Sequence, residues 1–244
     1  MNTPKISLVI PMYNESSIIT DTAKALHKYM SETFVSYEIL FCDDGSRDGC
    51  ADMVRALELP NVRVVGYEQN RGKGAAVRHA MLLAEGDIIM FTDADLAYGT
   101  EVIKRAYDSM LENESCDMLI GSRNLSGDGY EGYTLLRKVM SKVYIRVLCL
   151  MGGFKLSDSQ CGCKAFRRPA AAEIFSRAKV DGFAFDFEAI LWAQSLGYKI
   201  CEMPVKIINH RASTVNVLND TVKMLRDVYK IRKRVKKERK AEKR

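Results

Sequence analysis

The chain is poor in the features that most quickly assign a function. No apolar run in its 244 residues approaches the ~20 that span a bilayer, so no transmembrane helix is expected. The stretch from Ile6 to Met12 is too short and too poorly flanked for a signal peptide. Only three histidines occur, and neither His79 nor His210 has a second ligand at metal-binding spacing. The seven cysteines are scattered; Cys161 and Cys163 alone lie close together, and no Cys-x-x-Cys pair exists. Free, packed thiols in a reducing cytoplasm are the economical reading. No internal repeat is visible, and no Gly-rich loop ends in the Lys-Ser/Thr of a Walker motif.

What is present is an ordinary soluble composition, 47% hydrophobic and 28% charged, in a chain long enough for one sizeable core. The formal net charge is +6, but residues 223–244 hold twelve Lys/Arg against Asp227, Glu238 and Glu242, which leaves the body at −3. Along this basic tail, Val222, Leu225, Tyr229 and the Arg232 stem are expected to share a helix face. Three readings of the tail stay open. It is a solvated helix, a nucleic-acid contact (without the interleaved aromatics such contacts use), or a helix lying on an anionic leaflet.

Apolar patterning predicts strands at 5–10, 37–42, 62–67 and 117–121, and a buried strand that runs into Asp93. Helices are expected at about 16–34, 72–84 and 100–113, with a short one ending near 57. This alternation argues for an α/β fold with a mostly parallel sheet and helices on both faces. Beyond Arg123 the pattern changes. A Gly-rich loop at 126–132 precedes a basic, apolar helix at 133–151 carrying Arg137, Lys138, Lys142 and Arg146. Short strands near 163–167 and 199–204 flank a helix at 186–196, and a last helix starts near 218. This half reads as an extension of the same sheet.

Ligands of open α/β sheets bind beyond the carboxyl ends of the strands. Tyr13 and Glu15, Asp43 and Asp44, and Asp93 and Asp95 stand at three such ends, with Asn70-Arg71-Gly72-Lys73-Gly74 between them. Each has a structural reading. Asn14 or Ser16, and Ser46 or Asp48, suit helix caps; Gly72 and Gly74 suit close packing; Asp-Ala-Asp suits an acidic turn. Each also has a functional one. The 93/95 pair suits a hard divalent cation, a carboxylate at 43–44 suits a nucleobase N–H, and Lys73 with backbone N–H groups suits phosphate. Their convergence on one edge favours a ligand site.

The motifs at 7–15 (Ser-Leu-Val-Ile-Pro-Met-Tyr-Asn-Glu), 43–48 (Asp-Asp-Gly-Ser-Arg-Asp), 70–76 (Asn-Arg-Gly-Lys-Gly-Ala-Ala) and 93–95 occur in an order that resembles the family-2 glycosyltransferases of the GT-A, Rossmann-like fold. The segments Asp-Ser-Gln-Cys-Gly-Cys-Lys at 158–164 and Phe-Ala-Phe-Asp-Phe-Glu at 183–188 are similar to the polyprenyl-phosphate branch, in particular its dolichyl-phosphate glucosyltransferases. The resemblance covers about 5–213. It implies that Pro11, Tyr13, Glu15, the Cys42 backbone and Asp44 hold the nucleoside and Lys73 meets the sugar nucleotide. It further implies that Asp93 and Asp95 flank Mg²⁺ or Mn²⁺ on the diphosphate, that Ala94 lies against the ribose, and that Arg123 and Arg211 meet phosphate. Ala97-Tyr98 stands where many members carry Gln or Gly. Many members also carry membrane helices at one end, and no such run occurs here.

The implied activity is metal-dependent, inverting transfer of a hexose to a polyprenyl or dolichyl phosphate by an enzyme peripherally bound at the cytoplasmic membrane face. UDP-glucose is the first donor expected and GDP-mannose the second; a non-lipid acceptor is the rival, and no nucleic acid is expected. The implied organisation is 1–123 for the nucleotide sugar, 124–217 for the acceptor and 218–244 as a basic, amphipathic helical tail. Arg123, Arg211 and Arg137 or Lys138 are expected to cradle the acceptor phosphate, with His210 beside Arg211. Asp158 and Asp186 are candidates for a base or positioning group, each equally able to be a cap or an ion-pair partner, while His79 reads as structural.

Overall fold

In the computed structural model, which describes residues 3–127, 129, 135–209 and 217–242, seven strands share one sheet. They are β1 (Ile6–Met12), β2 (Tyr37–Asp44), β3 (Val62–Tyr67), β4 (Ile88–Phe91), β5 (Met118–Ser122), β6 (Lys164–Arg167) and β7 (Ile200–Pro204), in the spatial order β3-β2-β1-β4-β6-β5-β7. The central strands are buried almost throughout, as strands covered on both faces must be. Helices α1 (Ile19–Thr33), α2 (Cys50–Arg55) and α4 (Glu101–Glu112) close one core. Helices α3 (Lys73–Leu83), α5 (Leu135–Gly152), α6 (Arg168–Arg177), α7 (Phe185–Leu196) and α8 (Val217–Glu242) close the other.

The predicted alternation is present, with three differences. Helix α6 had not been anticipated, although Pro169 in its first turn is a start signal. Strand β6 does not extend the sheet outward; it inserts between β4 and β5, antiparallel to both. Only β7 extends the sheet, parallel to β5. Because β6 runs backwards, it begins where β4 and β5 end, with Lys164 in register with Phe91 and Ile120. The chain at 158–163 is thereby delivered to the ligand-binding edge.

The third difference lies in α8. Val228, Ile231 and Val235 are its buried residues, whereas Tyr229 is 65% exposed and Arg232 is exposed. The expected face through Tyr229 and Arg232 is thus turned away from the body; the side chains of Val222 and Leu225 lie outside the described ones. Three buried aliphatic side chains contribute on the order of 5 kcal/mol, while a surface ion pair such as Lys179–Glu238 contributes under about 1. Apolar packing on α5 and α7, with an ion pair from Arg234 to the buried Glu188 of α7, docks α8.

Candidate active site

β1 and β4 are neighbours, yet β2 lies on the far side of β1, so the winding reverses between them. Strand ends part at such a switch and leave a crevice. Asp93 and Asp95 leave β4 at this point. Asp93 forms an ion pair with the Lys73 ammonium at the start of α3. Gly162 lies against the other Asp93 oxygen so closely that a Cβ there would collide with it. Asp95 accepts the Ala97 N–H at 3.0 Å, and burial together with the Asp93 charge raises its pKa. Ala94, buried between them, is anchored to α1 through its carbonyl, which accepts the Thr22 hydroxyl at 2.8 Å. The Ala97 carbonyl accepts the N–H groups of Ile208 and Asn209, at 2.8 and 3.2 Å, so the chain after β7 crosses the acidic turn.

Two hard carboxylates held together despite like charge, each only partly buried, fit a divalent cation such as Mg²⁺ or Mn²⁺. Among the described residues no group of three or more His, Cys, Asp or Glu gathers around a metal. An ion on Asp93 and Asp95 would therefore need ligands beyond the described His, Cys, Asp and Glu side chains.

The β1 and β2 ends form one wall. Tyr13 is 45% exposed and Glu15 half-buried beside it, while Pro11 is in register with Cys42. The Cys42 thiol is buried in the core and pushed up to about 12 by burial and then by Asp44 and Asp43, so this residue offers the crevice only backbone. Asn14 and Ser16 cap nothing in α1. Instead Asn14 exchanges hydrogen bonds with the Ser46 hydroxyl and the Arg47 N–H, both at 2.9 Å, and Ser16 donates to Asp48 at 2.8 Å. Asp48 also accepts the N–H of Cys50, the first residue of α2.

Asp44 is 3% exposed and accepts from Tyr67 Oη, Asn70 Nδ2 and the N–H groups of Arg71 and Gly72, at 2.7–3.1 Å. Its carboxylate thus builds the turn into α3, and any hold on a nucleoside runs through that shape. The glycines of that turn serve packing. A Cβ on Gly72 would meet the Asp181 carbonyl and one on Gly74 the Phe185 Cβ, which lets α7 approach α3. The Gly72 N–H goes to Asp44, and the Ala75 N–H is shared between the Gly72 and Asp181 carbonyls, at 2.9 and 3.2 Å. The side chain of Lys73 reaches into the crevice, where it meets Asp93. Burial lowers its pKa, but Asp93, Asp186 and Asp95 more than offset this, and the net shift is upward.

The third wall comes from distant parts of the chain. Arg123, just past β5, makes a two-pronged pair with Asp158, Nε to Oδ2 at 2.6 Å and an Nη to Oδ1 at 3.0 Å. Asp158 is fully buried. Burial works against the Arg123 charge, yet Tyr98 and Asp158 hold its pKa well above the usual value. Glu202 on β7 accepts the N–H groups of Ser157 and Asp158 and the Ser157 hydroxyl, at 2.6–3.1 Å, which fixes the Asp158 segment. Lys164, 1% exposed, donates to Asp186 at 2.6 Å and to the Cys161 carbonyl at 2.5 Å. Burial raises the Asp186 pKa even with Lys164 and Lys73 opposing it. Tyr98, placed where many resembling sequences have Gln or Gly, accepts the Gly162 N–H at 3.4 Å.

The structure thus gathers Tyr13, Glu15, Asp44, Lys73, Asp93, Asp95, Arg123 and Asp158 at one sheet edge. Arg211 and His210 lie outside the described residues, as do the side chains of Arg137 and Lys138. His79 stacks edge-on to Tyr67 within the fold, 5.7 Å between centroids. Sequence reasoning missed Glu202 and Lys164. Nothing local marks Glu202, but a lysine opening the apolar strand Lys-Ala-Phe-Arg is a buried charge that needs a partner.

The family model of glycosyl transferase family 2 matches residues 7–175. The chain belongs to this family. Among its relatives, a dolichyl-phosphate beta-glucosyltransferase of Dictyostelium discoideum is 32% identical over 216 residues, covering 82% of this chain and 65% of the relative. One from Trichomonas vaginalis is 33% identical, covering 82% and 63%. The chain therefore spans just under two thirds of the length of these relatives. Among solved structures, glucosyl-3-phosphoglycerate synthase from Mycobacterium tuberculosis, in complex with Mn²⁺, uridine diphosphate and glucosyl-3-phosphoglycerate, superposes with a TM-score of 0.69 at 19% identity, covering 92% of this chain and 80% of that one. Mannosyl-3-phosphoglycerate synthase from Rubrobacter xylanophilus gives 0.69 at 19% identity, covering 96% and 75%. These two place the family-2 chain in the GT-A fold.

Proposed function

We propose that this family-2 chain transfers glucose from UDP-glucose to a polyprenyl phosphate of the dolichyl type, inverting the anomeric centre. The reading is carried by one arrangement: a carboxylate pair at the end of β4 and the half-buried, carboxylate-held Arg123 past β5 open on one edge. The relatives' names support the choice of sugar and acceptor.

When bound, a Mg²⁺ or Mn²⁺ ion on Asp93 and Asp95 neutralises charge on the departing nucleoside diphosphate. Lys73 presents an ammonium to the same diphosphate, with Tyr13, Glu15, Pro11, the Cys42 backbone and the Asp44-built turn around the nucleoside and Ala94 at the ribose. A phosphate monoester has a second pKa near 6, so an acceptor phosphate is largely dianionic at neutral pH and needs no strong base. It needs a cation and in-line placement. Arg123 supplies the first, and its guanidinium is fixed by Asp158, which acts through Arg123 as a positioning residue. Arg211 and His210, with Arg137 or Lys138, complete the cradle in this reading. In-line displacement on an α-linked donor gives a β-linked product.

Residues 1–123 serve the donor and 124–217 the acceptor. In this reading the enzyme works peripherally at the cytoplasmic face, where it meets its lipid-linked acceptor. The test is turnover of UDP-glucose and GDP-mannose, each with Mn²⁺ and a short polyprenyl phosphate, with the product's anomeric configuration read by NMR. β-Glucosyl product is expected. Mannosyl product would move the donor assignment, and sugar transfer only to non-lipid acceptors would overturn the reading.

A further inference from the structure

The apolar surface that the fold leaves uncovered is concentrated on one helix. On α5, Leu135 and Leu150 are each 81% exposed, Val139 58% and Val143 54%. At 3.6 residues per turn these four lie on one side, along ~22 Å of helix. Lys142 and Arg146 are exposed along the same side, while Ile145 and Leu148 turn into the protein. A stripe of this kind marks an interaction surface rather than a solvated face.

Helix α8 packs beside α5 and separates its charges. Its carboxylates Glu238 and Glu242 turn towards the body, where they pair with Lys179 and Arg177. Lys230, Lys233, Lys237 and Lys240 point outward and are exposed. Between α7 and α8 a groove of about 420 Å³ adds Arg232 and Lys236 over Leu191 and Val235. The aliphatic residues Val228, Ile231 and Val235 are already buried in the body. Among its described side chains α8 therefore has cations for a surface but no exposed aliphatic stripe, and α5 has the stripe.

We propose that α5 and α8 together form a docking surface for an anionic bilayer. The aliphatic stripe of α5 enters the headgroup boundary and the cationic face of α8 lies against the lipid phosphates. Charge complementarity selects this occupant. A second copy of the chain would bring basic face to basic face, and an acidic peptide would match α8 while leaving the α5 stripe in water. The proposal rests on the lipid-phosphate acceptor for its purpose, since a membrane-embedded acceptor must be met at the bilayer surface.

The test is sedimentation of the full chain with vesicles of phosphatidylcholine alone or mixed with phosphatidylglycerol, at low and high salt. Leu135→Ser with Leu150→Ser is expected to bind mixed vesicles about thirtyfold more weakly at both salt levels, with an unchanged melting transition. Lys233→Glu with Lys237→Glu is expected to lose the preference for phosphatidylglycerol at low salt. Binding by the leucine variant equal to wild type overturns the proposal, and so does a wild-type dimer that this variant dissociates. Turnover separates the surface from the acceptor reading. The leucine variant should keep glucosyl transfer to a water-soluble short-chain phosphate and lose transfer to a long-chain one in vesicles. If the wild type binds vesicles in the expected pattern yet glucosylates neither acceptor, the acceptor reading falls and the docking surface stands.

Discussion

Asp158→Ala separates a positioning role from a chemical one. The native carboxylate is fully buried, accepts two guanidinium hydrogen bonds from Arg123 and also takes the Gln160 N–H at 3.1 Å. The alanine removes the carboxylate that holds a guanidinium only 13% exposed. Breaking one side of a buried pair costs about 3–5 kcal/mol. For a chain of this length that lowers Tm by roughly 6–20 °C. Combining it with Arg123→Met removes the charge together with its partner, and the double variant is expected to regain about 2–3 kcal/mol over the sum of the singles. Thermal and urea unfolding of the four proteins measure this cycle.

Transfer kinetics of Asp158→Asn complete the test. A raised KM for the acceptor phosphate with an unshifted pH profile is the positioning outcome. If Asp158→Ala is as stable as wild type within about 0.5 kcal/mol, or if the asparagine variant loses the basic limb of the pH profile at constant KM, the ion-pair reasoning is wrong. Asp158 would then act as a base.

Three further outcomes follow from the same geometry. The Asp95 carboxyl is raised above 3.8, by burial first and then by Asp93. The folded state therefore holds this proton more tightly than the unfolded chain, and stability falls as pH rises through that window. Asp95→Asn should accordingly melt above wild type at neutral pH, with the gap closing towards pH ~4, and should lose any stabilisation by Mn²⁺ with UDP; calorimetry at several pH values checks both. Gly162→Ala drives a methyl into the Asp93 carboxylate, so titration calorimetry should show Mn²⁺–UDP binding at least about tenfold weaker, ~1.4 kcal/mol, in a folded protein. Glu202→Gln weakens the clamp on Ser157 and Asp158. It should cost about 1–2 kcal/mol in urea unfolding and raise the acceptor KM with kcat largely kept.

The wall built from β1, β2 and β4 was legible in the sequence because each strand, its turn and the next helix are contiguous. Asp93 and Asp95 could be placed at a strand end from the run 88–92 alone, and parallel strands put such ends on one edge. The same local reading could not choose between phosphate binding and packing for Gly72 and Gly74, since both need a missing Cβ. Only the fold shows that Asp181 and Phe185, more than a hundred residues on, occupy the space those Cβ atoms would need. It also could not set the rotation of α8, because long basic stems and aliphatic side chains cover a body equally well in a helical pattern.

The Arg123–Asp158 wall depends on one topological fact with no local signature, the antiparallel insertion of β6. A short apolar strand fits either direction, and the choice is made by pairing with β4 and β5. Had β6 run parallel, the 158–163 segment would enter the sheet from the opposite edge. Asp158 could not then reach Arg123, 35 residues earlier, nor Lys164 stand beside Asp186 near Lys73. The reversal of that one strand is therefore what gives the edge formed by β1, β2 and β4 a second, cation-lined wall. Variants that weaken the β4–β6 register should accordingly impair acceptor use before they impair nucleotide binding.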